Sequence, residues 1–308
     1  MTASRVLLLL VFSMLAGCAG VATQRAHDLS SAGTAYTKAS EALIDSAMNA
    51  SVDSDSFAKV TTKTRAGAPL PPRDELVKDL AQSDDGLVVT LTLYQQVRAS
   101  LVALEAYFAA LQELADNPQG EGTAQAVKSL ADHINDLDGV LSKDTRLALS
   151  PAQVTAISSL SRLVSDQIHG AIVANALRRD AATVGRMLAL SQKAVRLAEM
   201  DVSAYLRLKQ DAFYRERVQK PYIGQTMGDQ WIDDRRTYLK AVALGKASEE
   251  IVKAEAASAQ MQATWQKILS GDLSAAELHR MLAEINQLLA AVNTLKSAER
   301  PAATAGTQ

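Results

Sequence analysis

Four histidines, His27, His133, His169 and His279, are the side chains of this chain best suited to hold a metal. A metal ion asks for two ligands one helical turn apart, or for a matched cluster of His, Cys, Asp and Glu. His133 with Asp136, and Asp166 with His169, come nearest to that spacing, and no HExxH pattern accompanies them. Such pairs belong more often to a solvated helix face, so no metal site is expected. Ser56 and Lys59 form an S-x-x-K, which can pair a serine nucleophile with a lysine base. The S-D-N and K-T-G elements that would complete such a site are missing, since Lys63 and Thr64 are followed by Arg65. Gly245, Lys246 and Ser248 lack the first glycine of a phosphate loop, because Lys240 stands in its place. GxSxG, GxGxxG and calcium-loop patterns are likewise missing. No catalytic residue and no cofactor are expected, and the chain is not expected to be an enzyme.

Adjacent carboxylates occur at Asp84–Asp85 and at Asp233–Asp234. Both lie beside expected helix breaks, where a carboxylate favours a helix N-terminus over acid/base work.

One region stands apart. Tyr205, Phe213, Tyr214, Tyr222, Trp231 and Tyr238 fall between Tyr205 and Lys240, six of the chain's thirteen aromatics. Eight basic residues share that window with five acids, among them Arg207, Arg215, Arg217, Lys220, Arg235 and Arg236. Aromatics with arginine are typical of binding hot spots, so Arg215, Tyr222, Trp231 and Arg235 are the candidate contacts for a partner protein or glycan. The competing reading is a corner whose aromatics pack the end of the helices, with cations near a helix C-terminus.

These candidates need elements to position them, and the composition calls for helices. Hydrophobic residues make up 48% of the 308 residues while aromatics are only 4%. The excess is alanine and leucine, which favour helix over strand. A net charge of −2 gives no electrostatic footprint for nucleic acid. Apolar residues recur in alternating steps of three and four, the signature of one stripe facing a partner helix. The runs are Tyr94 to Ala115, Val127 to Leu141, Val184 to Tyr205, Ile251 to Ile268 and Leu278 to Leu295. Ser150, Pro151 and Gln153 predict a capped helix start with Leu149 and Val154 as a hydrophobic staple. Ser274 with Glu277 repeats the capping device, with Leu273 and Leu278 as its staple.

Proline, glycine and polar clusters predict breaks at 65–73, 83–86, 117–122, 147–150, 220–228 and 270–273. Leu87 to Leu93 alternates like a strand but has no second strand to pair with. It is read as the first turns of a helix. The expected fold is all-α, an antiparallel bundle of roughly six helices with coiled-coil-like packing. It covers residues 26–297, with sub-bundles 26–148 and 149–297 as a variant, and residues 298–308 form a disordered tail.

The N-terminus carries a different kind of signal. Arg5 and the terminal amine precede the apolar run Val6 to Leu15, which ends in Ala16, Gly17 and Cys18. The run is broken by Ser13 and gives way to Thr23, Gln24 and Arg25, too short for the about 20 apolar residues of a spanning helix. Leu15-Ala16-Gly17-Cys18 resembles the lipobox of bacterial lipoproteins, and Cys18 is the only cysteine. The resemblance covers residues 1–19 alone. It implies cleavage of a signal peptide, residues 1–17, between Gly17 and Cys18, and acyl chains such as palmitate on Cys18. Two or more acyl chains anchor a protein stably. Residues 18–25 are then a lipidated tether, spanning roughly 25 Å if extended. Ala19, where an aspartate would retain such a protein in the inner membrane, implies the outer membrane, facing the periplasm.

Together these readings give a lipid-anchored periplasmic scaffold or adaptor of the bacterial envelope that binds another envelope component without catalysis. The alternatives are a bundle holding a small molecule or lipid in its interior, and a hydrolytic envelope enzyme. An efflux-type outer-membrane factor is excluded, because its alternating strand segments are missing. Seven-residue stripes also suit oligomers, so the oligomeric state stays open.

Overall fold

A computed structural model describes the backbone of residues 3–63, 71–117, 122–141, 147–160, 171–244, 246–270 and 274–299. The elements are α1 (Ala3–Lys63), α2 (Arg73–Asp116), α3 (Gly122–Leu141), α4 (Pro151–Ser158) and α5 (Ala171–Phe213). After a π-helical turn (Tyr214–Gln219) follow α6 (Lys220–Ile223), α7 (Asp229–Leu244), α8 (Lys246–Ser270) and α9 (Ala275–Glu299). The all-α expectation holds among the described residues. The elements are less even than six similar helices: α1, α2 and α5 run 61, 44 and 43 residues, while α4 and α6 have 8 and 4.

Cross-helix contacts fix the directions. Lys38–Glu105, Asp45–Arg98 and His27–Asp116 set α2 antiparallel to α1. Tyr36 with Ser191 and Ser51 with Asp201 set α5 parallel to α1. The Trp265 indole donates to the Ala181 carbonyl and Arg196 pairs with Glu255, so α8 runs antiparallel to α5. α3 climbs alongside α5 through Arg179 to Thr123 and Arg186 to Asp138.

The three-and-four stripes form the core. Tyr94, Val97, Leu101, Leu104, Phe108 and Leu111 are buried, as are Val184, Leu188, Ser191, Val195, Ala198 and Val202. Leu278, Met281, Ile285, Leu288 and Val292 do the same on α9. Fully buried Tyr107 meets Phe108 and Trp265 edge-on, with ring centroids 5.8 and 6.4 Å apart. α2 is long and apolar enough to cross a bilayer, yet its apolar residues from Leu93 onward supply this core. α1 buries large Leu29, Tyr36, Leu43 and Ile44 together with small Ser30, Ala32, Thr37, Ala39, Ser40, Ala47 and Ala50, and the small side chains let its neighbours approach closely.

Several local expectations change. Residues 83–86 do not break α2. Leu87–Leu93 is helical as read, but in mid-helix; Ser83 donates to Asp55 and Lys59 pairs with Asp79, so this stretch is held against α1 instead of starting afresh. Asp84 and Asp85 are therefore exposed helix-interior residues, not caps. α7 starts at Asp229, so Asp233 and Asp234 are not caps either; they accept from Arg236 and Gln230. Residues 18–25 lie within α1. At Ser150 both halves of the capping box form, and Val154 is 49% exposed. Ser274 and Glu277 also cap reciprocally, while Leu273 lies outside the described residues. The tail from 300 onward lies outside them too.

Glu199 on α5 has one carboxyl oxygen buried without a hydrogen-bond partner. Burial, then the nearby Glu255, push its pKa from 4.5 up to about 7, with Arg196 opposing. The sign follows from proton linkage. A raised carboxyl costs stability that is fully felt above pH 7 and vanishes below the ordinary 4.5. Glu199→Gln is expected to stabilise the chain by about 2 kcal/mol at pH 8, allowing for partial exposure. Urea denaturation at pH 8 and at pH 4 checks this: the gain should disappear at the lower pH.

Candidate functional site

Two pairs of helices outrun the core at the same end. In the first, burial stops at Ala50 on α1 and starts at Leu93 on α2, leaving residues 51–63 and 73–92 as an arm held together by Ser83–Asp55 and Lys59–Asp79. In the second, α5 leaves the core after Val202 and returns as α7, with only Val218 buried in between among the described residues.

The turn of the second arm follows from Pro221. A proline lacks the N–H for a helical hydrogen bond, and its ring crowds the carbonyl four residues back. The backbone accommodates this by widening to the π-helical turn Tyr214–Gln219, in which the Lys220 N–H donates to the Arg215 carbonyl. π turns recur at functional sites. α6 then ends with Gly224 N–H donating to the Lys220 carbonyl and Thr226 N–H to the Pro221 carbonyl, 3.0 and 2.9 Å. Gln225 is left-handed, φ 52°, a conformation that costs a side-chain-bearing residue about 1 kcal/mol.

Trp231 fastens the two limbs. Its indole N–H donates to the Val218 carbonyl at 2.8 Å, within the π turn. Tyr222 stacks on it with centroids 6.1 Å apart, and the Arg235 guanidinium sits 5.5 Å from the ring centroid. One step toward the core, Tyr214 meets Tyr238 at 4.6 Å. A groove of about 450 Å³ runs along α7 between Trp231, Ile232, Arg235, Arg236, Leu239 and Lys240.

Tyr222, Trp231 and Arg235 are thus brought together as one cluster, with Arg215 exposed two turns below on the π segment. Tyr222 is 61% and Ile223 71% exposed, so the tip of this corner stands clear of the core, while Tyr205 at the start of the window packs against it.

Other candidates resolve differently. Ser56 donates to the Val52 carbonyl and Lys59 pairs with Asp79, so the S-x-x-K side chains are turned to separate partners. His27 contacts Asp116 at 2.6 Å, while His133 accepts from Ser100 through its backbone carbonyl. His169, Asp166 and Gly245 lie outside the described residues, as does the side chain of Cys18. Among the described residues no three His, Cys, Asp or Glu side chains gather as a metal would need.

The sequence reading missed a cleft at the opposite end, mostly apolar with a few polar groups at its wall. It measures about 790 Å³ and lies between α2, α3 and α5, lined by Leu114, Thr123, Gln125, Lys128, Ile172, Asn175 and Arg179 among others. At its wall Arg179 reaches back to the fully buried Asp180 in a two-pronged contact, 2.6 and 2.8 Å, and donates to Thr123 at 3.2 Å. Burial raises the Asp180 pKa against the opposing pull of Arg179. Burial, then the Asp180 charge, hold the Tyr107 hydroxyl well above its usual range. No alternation or motif marks this site; only folding brings residues 114, 123 and 179 together.

No protein-family model, curated protein or solved structure matches the chain.

Proposed function

We propose that this chain is a lipid-anchored adaptor of the bacterial envelope, a helical bundle that holds a binding arm away from the membrane. The observation that carries the reading is where the exposed Tyr222–Trp231–Arg235 cluster stands relative to Cys18. At about 1.5 Å per helical residue, Cys18 lies roughly 27 Å on one side of the Tyr36–Ser191 contact and Tyr222 roughly 45 Å on the other. An acylated Cys18 therefore puts the cluster at the far end of the molecule, about 70 Å from the outer membrane, facing the periplasm. A stacked tyrosine–tryptophan pair with an arginine is an anchor set suited to a protein or glycan partner. The chemistry offered there is recognition, without nucleophile or base.

In vivo crosslinking of the native lipoprotein tests this. The variant Arg215→Ala/Tyr222→Ala/Trp231→Ala is expected to lose the crosslinked partner, and Tyr222→Ser, at an exposed position, to weaken recovery while leaving the fold intact. Cys18→Ser should shift the chain out of the membrane fraction. Unchanged partner recovery in both arm variants would overturn the assignment.

The cleft beside Arg179 favours a second reading, binding of a small amphiphile at the anchored end. Its volume falls in the ligand-pocket range, and Lys128, Asn175 and Gln125 offer donors above apolar Leu114 and Ile172. Stabilisation of the chain by added lipid, lost in Lys128→Glu, would support that reading.

A further inference from the structure

The two arms carry opposite charge and matching apolar seams. Residues 51–63 and 73–92 hold seven acids against four bases. The window Tyr205–Lys240 holds eight bases against five acids. On the acidic arm Val77, Leu80 and Val88 are each about half exposed or more, flanked by Asp74, Asp84 and Asp85. On the basic arm Ile232, Leu239 and Val242 are likewise open, with Arg235, Arg236 and Lys240 around the α7 groove and Asp233 paired to Arg236 beside Ile232. The α7 seam advances in steps of seven and three, and Val77 and Val88 on α2, eleven residues apart, fall on one side of that helix; complementary flanking charges set partner choice when helices pair. Among the described residues α7 packs chiefly against the π turn of its own arm, and Ile232, Leu239 and Val242 stay open.

Height decides the occupant. The Lys59–Asp79 and Ser83–Asp55 contacts put Leu80 level with α1 near residue 58, roughly 33 Å beyond the Tyr36–Ser191 contact. The Tyr214–Tyr238 contact puts Leu239 at roughly the same 33 Å. The two seams therefore stand level on one molecule. α2 and α7 also both run from the arm tips toward the core, so a rotation about the long axis brings the seams together running the same way.

We infer that the partner of these seams is a second copy of this chain, with the α2 seam of each copy seated on the α7 seam of the other. A two-fold axis along the molecule makes both contacts equivalent and closes the assembly. The same axis keeps both N-termini on one side, as two anchors in one membrane require; this clause rests on the anchored reading of Cys18. Tyr222 and Ile223 at the tip remain open for the envelope component.

Lipidated Cys18 leaves no other thiol, so engineered cysteines are unique. Two differently tagged full-length copies are co-expressed, one carrying Leu80→Cys and the other Leu239→Cys, and oxidised in membranes. A disulfide-linked species bearing both tags is expected. Asp84→Lys/Asp85→Lys on the first copy should lower its yield at least about tenfold, because like charges are then juxtaposed. Arg236→Glu/Lys240→Glu on the second copy should restore it. The proposal is overturned if no mixed species forms, if its yield ignores charge reversal, or if only a single chain carrying both cysteines cross-links, which means closure within one copy. Cys18→Ser separates the two ideas: loss of the membrane fraction reports on the anchor, whereas the charge-dependent disulfide in either fraction reports on the pairing.

Discussion

Replacing Trp265 with alanine is expected to remove about 3–5 kcal/mol of stability, the range for emptying a large buried aromatic site. Trp265 is fully buried. Its ring stands edge-on to Tyr107 of α2, and its indole N–H reaches the Ala181 carbonyl of α5 at 3.4 Å. The residue thus joins α8 to α2 and α5 at a level where none of the three can shift alone. Backbone carbonyls and fully buried rings on its flanks cannot collapse into the space, so a cavity term adds to the lost transfer energy. Trp265→Phe keeps most of the volume and should cost roughly 1–2 kcal/mol, for the hydrogen bond and residual void. The measurement is the urea midpoint at constant slope. A midpoint unmoved by Trp265→Ala would mean that α8 does not pack as described.

The second large effect runs the other way, from adding an atom. A Cβ at Gly33 would lie 2.4 Å from the Phe108 ring, and Phe108 is fully buried between α1 and α2. Alanine normally stabilises a helix interior relative to glycine by roughly 0.5–1 kcal/mol. Here the ring would have to move into a packed core, which costs typically 1–3 kcal/mol or more. Gly33→Ala is therefore expected to destabilise by about 1–2 kcal/mol net. Gly139→Ala, in a helix where the new atom meets nothing within 4 Å, should stabilise. Opposite signs for the same substitution in two helices isolate packing from propensity, and thermal unfolding of the two variants side by side reads them directly.

How far the sequence could be read depended on what each helix buries. The stripes of α2, α5, α8 and α9 are mostly Leu, Ile, Val, Met and aromatics, with Ser191, Ala198, Ala254 and Ser258 among them; their spacing stood out, and most of their described residues lie in the core. α1 escaped the same test although Leu29, Tyr36, Leu43 and Ile44 are in the core. The stripe positions between them are Ala32, Ala39, Ala47 and Ala50, and Ser30, Thr37 and Ser40 are buried beside them, so small residues blur the amphipathic contrast. The break expected at 83–86 failed for a related reason. Acids and a glycine do discourage helix locally, but Leu76, Ser83 and Leu87 lie half-buried along one side of α2, on the arm it forms with α1, and this outweighs a cost of about 1 kcal/mol for the glycine.

The arm that carries the aromatic cluster was legible in part. Aromatic and basic composition located the region, and Pro221 with Gly224 and Gly228 marked its turn. Its projection from the core could not be read, because Tyr214 and Trp231 look alike in sequence whether they close a bundle or fasten a hairpin. The acidic arm gave even less signal, since its exposed valines resemble an ordinary apolar stripe until the burial of α1 and α2 is seen to stop at Ala50 and Leu93.

The parallel course of α1 and α5 has a mechanical consequence. In a chain held at Cys18 and gripped at Tyr222, tension enters through the start of α1 and through the end of α5. Tyr36 and Ser51 of α1 are tied to Ser191 and Asp201 of α5, so the two helices are pulled past one another lengthwise. Every buried contact along their shared length then resists at once, rather than one after another as in peeling. Rupture under such traction follows the unfolding rate and not the equilibrium stability. A molecule of modest thermodynamic stability can in this way serve as a stiff strut between a membrane and whatever its far end holds.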